Sequence, residues 1–235
     1  MSNTAFSFKQ FTVNHDKCAM KVGTDGVLLG AWVTVNRSTN ILDIGTGTGL
    51  IALMLAQRSD ARIVGIDIDG NASAQALENV LNSHWENRIS IEHTDLQSFL
   101  PLTNFDLIVS NPPFFSNSLL SPDESRTFAR HTQSLSLPYL IEKSARLLTP
   151  NGRFALILPA DSESLLLQIA QSQGLIPHRI TRVIATPGAT PKRILVEFSF
   201  TSQPCIIDSL LIEQARHRYS DEYIALTRDF YLKMK

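Results

Sequence analysis

A four-residue turn near the middle of the chain has the groups needed to hold an amino group. It follows an apolar run, Phe105–Ser110, and consists of Asn111, Pro112, Pro113 and Phe114. Two consecutive prolines fix φ and remove two backbone donors, so the carbonyl groups of the turn remain as acceptors. The amide oxygen of Asn111 is a further acceptor, and the ring of Phe114 can stack on a planar substrate. We predict that these four residues are catalytic.

The chemistry that such a turn can perform follows from the weakness of conjugated amines as nucleophiles. The Asn111 amide oxygen and the Pro112 carbonyl can each accept a hydrogen bond from one of the two N–H groups of the amine. The nitrogen lone pair then points toward an electrophile. The same acceptors stabilise the positive charge that develops on nitrogen. Positioning of this kind can supply on the order of 7 to 11 kcal/mol of the barrier. A Cys or Ser nucleophile is then not required.

A glycine-rich loop upstream predicts a site for a cofactor without phosphates. Gly45, Gly47 and Gly49 directly follow a predicted strand and open a predicted helix, which is the context in which such a loop binds a ligand. Asp43 precedes the glycines and would repel a pyrophosphate at the helix N-terminus. It can instead attract the amino and sulfonium charges of S-adenosylmethionine, directly or through water. We therefore expect S-adenosylmethionine as the cofactor.

Residues at the ends of the next two predicted strands extend this cofactor site. Asp67 lies 18 residues after Gly49 and is placed to accept hydrogen bonds from both ribose hydroxyls, with Ile68 beside it. Asp95 can accept a hydrogen bond from the adenine amino group of the cofactor, with Leu96 against the ring. The alternative is that these carboxylates are ordinary strand-end residues. Asp69 is expected to cap the following helix.

Strand and helix patterns alternate from about residue 40, which predicts an α/β fold with a mostly parallel sheet. Helices are predicted at residues 50–58, 71–83, 138–148 and 162–173. The segment 186–191 lies between the last two strands and is too short for a helical crossover, so these strands should be antiparallel. The prediction is a Rossmann-like sheet of seven strands whose final strand is antiparallel: Ile41–Ile44, Arg62–Ile68, Ile89–His93, Phe105–Ser110, Arg153–Leu158, Arg179–Ala185 and Ile194–Phe200.

The length and composition fit one domain over residues 1–235. The 235 residues are 43% hydrophobic, enough for a sizeable core. We expect an N-terminal extension, residues 1–39, before the sheet. The tail, residues 206–235, is predicted to form one or two amphipathic helices, because apolar side chains recur there at helical spacing: Tyr223, Leu226, Phe230 and Tyr231.

Charge and cysteine content bound the function further. The net charge of −1 hides an asymmetry: residues 1–110 carry 7 Lys and Arg against 11 Asp and Glu, and residues 111–235 carry 14 against 11. A nucleic-acid surface should therefore involve the second half. Cys18 and Cys205 are far apart and have no metal-ligand spacing, so neither a disulfide framework nor a metal site is expected. We expect a monomeric, cytoplasmic protein with no signal peptide and no membrane span.

These motifs resemble those of class I S-adenosylmethionine-dependent methyltransferases with an Asn/Asp-Pro-Pro-aromatic motif, which act on amino nitrogens of adenine, guanine or glutamine. The resemblance covers most of the chain. Within this group the chain is most similar to the bacterial tRNA (adenine-N6)-methyltransferases that modify adenine 37 of a valine tRNA. The closer similarity is carried by Met20–Trp32, by the Phe form of the tetrapeptide, and by Tyr219 and Ser220 followed by Phe230, Tyr231 and Leu232.

The resemblance implies methyl transfer to the N6 amino group of a tRNA adenine that flips into the Asn111 pocket. It also implies that Lys21, Gly23 and Asp25 border the cofactor or the target base; for Asp25 an N-capping role is equally open. The tRNA phosphates need basic partners. The candidates are Arg126, Arg130 and His131 after the tetrapeptide and Lys192 and Arg193 on the predicted hairpin, although scattered basic residues are also typical of a solvated face.

Other functions stay open at this point. A ribosomal RNA guanine-N2 methyltransferase would share the Asn-Pro-Pro-Phe turn. A protein glutamine methyltransferase usually has Tyr at the fourth position and a helical domain before the fold, whereas only about 40 residues precede it here. The fold could also serve a dinucleotide oxidoreductase or an inactive binding module. The absent third glycine position of a dinucleotide fingerprint argues against the first, and the intact tetrapeptide against the second.

Overall fold

The computed structural model describes residues 4–18, 20–113 and 135–234. The strands are β1 (Ala5–Ser7), β2 (Thr12–Asn14), β3 (Asn40–Ile44), β4 (Arg62–Asp67), β5 (Ile89–His93), β6 (Phe105–Ser110), β7 (Leu148–Pro159), β8 (Ile176–Ile184), β9 (Arg193–Ser199), β10 (Ile206–Leu211), β11 (Glu213–Ala215) and β12 (Arg218–Tyr219). The helices are α1 (Thr24–Trp32), α2 (Leu50–Arg58), α3 (Gly70–Leu81), α4 (Leu137–Leu147), α5 (Glu163–Ser172) and α6 (Asp221–Thr227).

The central sheet has the strand order β10-β8-β9-β7-β6-β3-β4-β5. All neighbouring strands are parallel except β9, which is antiparallel to both β7 and β8. The predicted Rossmann-like class and the antiparallel hairpin are therefore confirmed. The sheet has eight strands rather than the predicted seven, and its last strand in chain order, β10, is parallel to its neighbour.

The eighth strand corrects the prediction for the tail. Residues Ile206–Leu211 are not helical, because they pair with β8 from Ile206 opposite Arg179 to Leu211 opposite Ile184. The edge of β8 offers unpaired backbone groups, and a short apolar segment can satisfy them as a strand as readily as it can form a helix. The tail becomes helical only at α6, where the Ser220 hydroxyl accepts a hydrogen bond from the Tyr223 N–H at 3.0 Å.

The core lies on both faces of the sheet because successive strand residues point to opposite sides. Ile41 belongs to the cluster that packs against α1 and α2, and Leu42 to the cluster that packs against α4 and α5. The N-terminal hairpin joins the first cluster through Phe8 and Val13, and α6 joins it through Tyr223. Each buried strand is thus covered on both sides, as a parallel sheet requires.

The two ends of the chain pack against each other. The Lys9 N–H donates to the Phe230 carbonyl at 2.8 Å, and the rings of Phe8 and Tyr231 stack with centroids 5.9 Å apart. The Lys9 ammonium also donates to the carbonyls of Arg228 and Met234. The N-terminal extension and the tail are therefore parts of one packed layer. In the ranges given above, each helix is too short or too polar to cross a membrane.

Candidate active site

The site lies where the order of the sheet reverses. Strands β4 and β5 lie on one side of β3 and β6 lies on the other, and ligands of open α/β sheets bind in the crevice at such a point. The Ser110 hydroxyl at the end of β6 donates to the Ile44 carbonyl at the end of β3, at 2.9 Å. This buried bond keeps the two strand ends together. It brings the residues that follow them, Asn111 and Gly45, to the same edge.

A cavity of about 270 Å³ opens at this edge. It brings together predicted site residues from four separate parts of the chain: Gly45, Gly47, Asp67, Ile68, Asp95, Leu96, Asn111 and Pro113. The other lining residues of the described chain are Cys18, Met20, Ile44, Ile66, Asp69, Ala72, Thr94 and Leu135. The glycine loop and the turn at Asn111, which the sequence predicts to be catalytic, therefore line one cavity.

The glycine loop is held by acceptors of the protein itself. The N–H groups of Gly45 and Thr46 donate to the Ile66 carbonyl at 2.9 and 3.0 Å, and the Gly47 N–H donates to the Asp67 carboxylate at 2.8 Å. Gly47 has a φ of 57°, which residues with a side chain rarely adopt. Because these donors are used and a carboxylate stands beside them, the loop does not offer the anion site that a dinucleotide pyrophosphate needs.

Asp67 is fixed in place yet open to a ligand. One carboxylate oxygen accepts from the Gly47 N–H and the other from the Asp69 N–H at 2.9 Å. Burial raises the pKa of Asp67, and the two backbone hydrogen bonds oppose that rise. Each oxygen keeps capacity for a second donor, so a pair of ribose hydroxyls suits it. The predicted cap is confirmed, since Asp69 accepts from the Asn71 N–H at 2.8 Å.

Asp43 lies behind the glycine loop and not in the cavity. Its side chain is 0% exposed. One oxygen accepts from the Thr46 hydroxyl at 2.7 Å, and the other has no hydrogen-bond partner among the described residues. Burial raises the pKa of Asp43 to about 7, although the Thr46 hydrogen bond opposes this. Asp43 therefore contacts the glycine loop through Thr46 and does not itself line the cavity. Gly49 also lies away from the cavity, directly before α2.

The third strand end supplies one polar and one apolar group to the cavity. Asp95 accepts a hydrogen bond from the Ser98 N–H at 2.7 Å, and this bond holds the pKa of Asp95 below its usual value. Leu96 is buried, whereas Ile68 is 41% exposed at the cavity. Apolar side chains on both sides suit a planar ring, and an ionised carboxylate suits an amino group at the ring edge.

Helix α1 packs beside the turn formed by Asn111, Pro112 and Pro113. Asn111 and Pro113 are half-buried and line the cavity, while Pro112 is buried. A Cβ added at Gly26 of α1 would lie 3.0 Å from Leu50 Cδ2 and 4.0 Å from Asn111 Nδ2, so a larger residue would crowd this contact. Phe114, the last residue of the predicted turn, lies outside the described residues.

Several predicted residues lie away from the described cavity. Lys21 is exposed, and Gly23 is the residue that precedes α1, so Gly23 rather than Asp25 occupies the N-cap position. Asp25 accepts a hydrogen bond from the Arg193 guanidinium at 2.8 Å. Lys192 is exposed. Arg126, Arg130 and His131 lie outside the described residues.

Sequence reasoning missed Cys18, Met20 and Ser110. Cys18 and Met20 reach the cavity from the N-terminal extension. Met20 is the first residue of the run Met20–Trp32 that carries the family similarity, but no site role was predicted for it, and no motif marks Cys18. The role of Ser110 depends on the pairing of β3 with β6, which its own sequence does not specify. Within the described ranges, His, Cys, Asp and Glu side chains form no group of three or more that could hold a metal ion.

Comparisons with known proteins identify the family of this chain. The family model described as methyltransferase small domain matches residues 18–164. A protein of Bacteroides fragilis named tRNA1(Val) (adenine(37)-N6)-methyltransferase is 55% identical over 100% of both chains. A protein of the same name from Trichodesmium erythraeum is 47% identical over 99% of this chain and 100% of its own.

Solved structures share the fold at low sequence identity. A predicted O-methyltransferase from Agrobacterium tumefaciens has a TM-score of 0.66 and 19% identity, covering 88% of this chain and 96% of its own. An N-methyltransferase from Bradyrhizobium japonicum in complex with S-adenosyl-L-homocysteine has a TM-score of 0.52 and 20% identity, covering 73% and 82%. The chain therefore belongs to the methyltransferase small domain family.

Proposed function

We propose that this chain transfers a methyl group from S-adenosylmethionine to the N6 amino group of an adenine in tRNA, at position 37 of a valine tRNA. The observation that carries the proposal is that Asn111 and Pro113 line the same cavity as the glycine loop and Asp67. This shared lining supports a site in which an amine held at Asn111 would face a cofactor held at Asp67. Relatives at 46–55% identity over the whole chain bear the corresponding name, which supports the choice of substrate.

The residues present fit S-adenosylmethionine. Asp67 would accept hydrogen bonds from the ribose hydroxyls, and Asp95 would accept one from the adenine amino group. Ile68 and Leu96 would contact the adenine ring. The loop at Gly45 and Gly47 and the catalytic residue Asn111 would border the methionine part, with Asp43 supporting the loop from behind. Gly49, Lys21 and Gly23 belong to the same proposed site, at its edge. When bound, the cofactor supplies an activated methyl group on a sulfonium.

The catalytic turn would orient the substrate amine. The Asn111 amide oxygen and the Pro112 carbonyl would each accept a hydrogen bond from one of the two N–H groups of the amine, so that the nitrogen lone pair faces the cofactor. Pro113 would stiffen the turn. These acceptors are neutral dipoles in fixed positions, which stabilise a developing positive charge without reorganising. Phe114 would stack on the target adenine.

The tRNA would lie over the same edge of the sheet. Arg193 begins β9 at this edge, and Lys192 directly precedes it. With Arg126, Arg130 and His131, these two residues are the proposed phosphate contacts. The two chain ends pack into one layer, which supports a single-domain enzyme. We propose that it acts as a monomer, and a tRNA substrate supports a cytoplasmic location.

Methyl transfer from labelled S-adenosylmethionine to unmodified bacterial tRNA and, separately, to ribosomal RNA tests this proposal. We expect label in N6-methyladenosine from tRNA. Label in N2-methylguanosine from ribosomal RNA would replace the proposal with the guanine-N2 activity. Label in neither RNA would contradict an RNA substrate.

A further inference from the structure

A segment before α1 is fastened to α3 by two buried amide side chains. We call residues 14–18 together with Met20 the N-terminal strap. Asn79 is 1% exposed; its amide oxygen accepts from the Asn14 N–H at 2.9 Å, and its amide nitrogen donates to the Asn14 carbonyl at 2.9 Å. Gln75 is 0% exposed, and its amide oxygen accepts from the Lys17 N–H at 3.0 Å. Two side chains of one helix therefore hold the strap backbone at two points.

We call Gln75 and Asn79, which hold the strap, the amide clamp. This clamp also contacts the glycine loop. The Asn79 amide nitrogen also donates to the Thr48 carbonyl at 2.9 Å. Buried amides are costly unless they are hydrogen-bonded, so two of them on one helix face, both directed at the strap, indicate a specific attachment. The position of the strap is thereby tied to α3 and to the loop that follows β3.

Beyond the clamp, the strap lines the ligand cavity. Cys18 and Met20 are on its wall together with Asp67 and Asp69. Burial first, and then the charges of the two aspartates, raise the pKa of Cys18 to about 11, so its thiol is neutral and close to these carboxylates. Met20 is 56% exposed and Ile68 is 41% exposed. Two large apolar side chains stand open at one cavity, where a ligand ring would cover them.

We propose that the N-terminal strap is the wall that closes the cofactor cavity beside Asp67, with Cys18 and Met20 contacting the bound cofactor. Gln75 and Asn79 are then positioning residues, since they reach the cofactor only through the strap. The inference rests on the proposed cofactor. It extends the proposed site from Lys21 and Gly23 back to Cys18 and Met20, and it assigns a role to the two amides of α3 that hold the strap.

The two cysteines of the chain allow an internally controlled test. Cys18 lines the cavity, whereas Cys205 is a partly buried thiol remote from it. The protein is labelled with N-ethylmaleimide, with and without S-adenosylhomocysteine, and labelling of each cysteine is followed by mass spectrometry. At ten times the Kd we expect labelling of Cys18 to slow by about tenfold, because only the free fraction reacts. Labelling of Cys205 should not change.

Calorimetry on the same sample separates the possible failures. If S-adenosylhomocysteine binds but does not protect Cys18, the strap is not part of the cofactor site and the inference is overturned. If S-adenosylhomocysteine does not bind at all, the proposed cofactor is wrong and the inference fails with it.

A second variant tests the clamp. Gln75→Met removes the acceptor for the Lys17 N–H with little change in volume, and it also removes a buried amide nitrogen that has no partner among the described residues, so the fold should persist. We expect S-adenosylhomocysteine affinity to fall about twofold to tenfold, as for one lost hydrogen bond, and Cys18 labelling of the free protein to accelerate.

The matched control is Gln171→Met, at an exposed glutamine of α5, which should change neither quantity. Unchanged affinity and unchanged Cys18 labelling in folded Gln75→Met would show that the clamp does not position a cofactor wall.

Discussion

The two sides of the cavity differ in how far their polar groups are already used. On the glycine-loop side, Asp67 accepts two backbone hydrogen bonds. Behind the loop, Asp43 accepts a hydrogen bond from the Thr46 hydroxyl. On the side of the catalytic turn, the Asn111 side chain has no hydrogen bond to another described residue, although it lines the cavity. The carboxylates on the glycine-loop side are therefore hydrogen-bonded mainly within the protein, whereas the Asn111 amide on the other side is available to a ligand.

This difference separates two tasks. A cofactor can be held by groups that the protein has fixed in advance, because such groups lose little freedom on binding. A substrate amine needs acceptors that are free until it arrives and that gain strength as positive charge develops. Changes on the two sides should therefore appear in different kinetic quantities.

The largest effect is expected at the catalytic turn. Asn111→Ala removes an acceptor for the amine, so kcat should fall by about two to three orders of magnitude, similar to the loss of one preorganised hydrogen-bonding group at a reaction centre. The Kd for S-adenosylhomocysteine should stay within about twofold, because cofactor contacts lie mainly on the other side. Single-turnover assays and calorimetry measure the two quantities. A kcat within about threefold of the parent would remove the positioning role.

A smaller effect of the opposite kind is expected at Asp67. Asp67→Ala removes the proposed ribose acceptor, and hydrogen bonds to charged groups contribute about 1.5 to 3 kcal/mol, so the Kd should rise about tenfold to a hundredfold. The rate at saturating cofactor should change less. Asp60→Ala, at an exposed aspartate before β4, is the control in the calorimetric titration. An unaltered Kd would show that the ribose contact is misplaced.

Lys192→Ala should leave both sides of the cavity intact. Lys192 is exposed, whereas the neighbouring Arg193 is paired with Asp25. Loss of one phosphate contact should raise KM for tRNA about twofold to fivefold and lower the salt slope of binding by about 1. Filter binding at several salt concentrations measures this. Lys233→Ala, at an exposed lysine in the C-terminal segment, is the control, and an equal response of both variants would argue against a specific contact.

Asp43→Asn should have the smallest effect on catalysis and a distinct effect on stability. The pKa of Asp43 is about 7 in the fold against an ordinary 3.8, so between these pH values the folded state binds the proton and the unfolded state does not. The free energy of unfolding of the parent should therefore decrease as pH rises from about 4 to about 7.

Urea unfolding at several pH values compares the parent with Asp43→Asn. The variant should lack this part of the pH dependence and should keep the Kd for S-adenosylhomocysteine within about twofold, since Asp43 lies outside the cavity. Parallel stability curves for the two proteins would contradict the buried, proton-binding Asp43.

The predictable parts of the site were those defined by local order along the chain. Asp67 ends β4, whereas the glycine loop, Asp95 and Asn111 come shortly after β3, β5 and β6. Parallel strands bring such positions to one edge. The position of a residue at a strand end does not predict whether its side chain is buried or lines the cavity. Asp43 and Asp67 look alike in sequence, yet one is buried beneath Thr46 and the other opens to the cavity.

The parts that sequence reasoning did not predict depend on long-range packing. Cys18 and Met20 reach the cavity because Gln75 and Asn79 hold the strap, and these partners are about 60 residues away in sequence. The strand at Ile206–Leu211 exists because the edge of β8 is available to it. No pattern within either segment specifies its partner.

The most direct test of the proposed activity uses two transcripts of the valine tRNA that differ only at nucleotide 37. With adenine at position 37, labelled S-adenosylmethionine should give N6-methyladenosine, and replacement of that adenine by guanine should abolish the label. Equal labelling of both transcripts would contradict adenine 37 as the target.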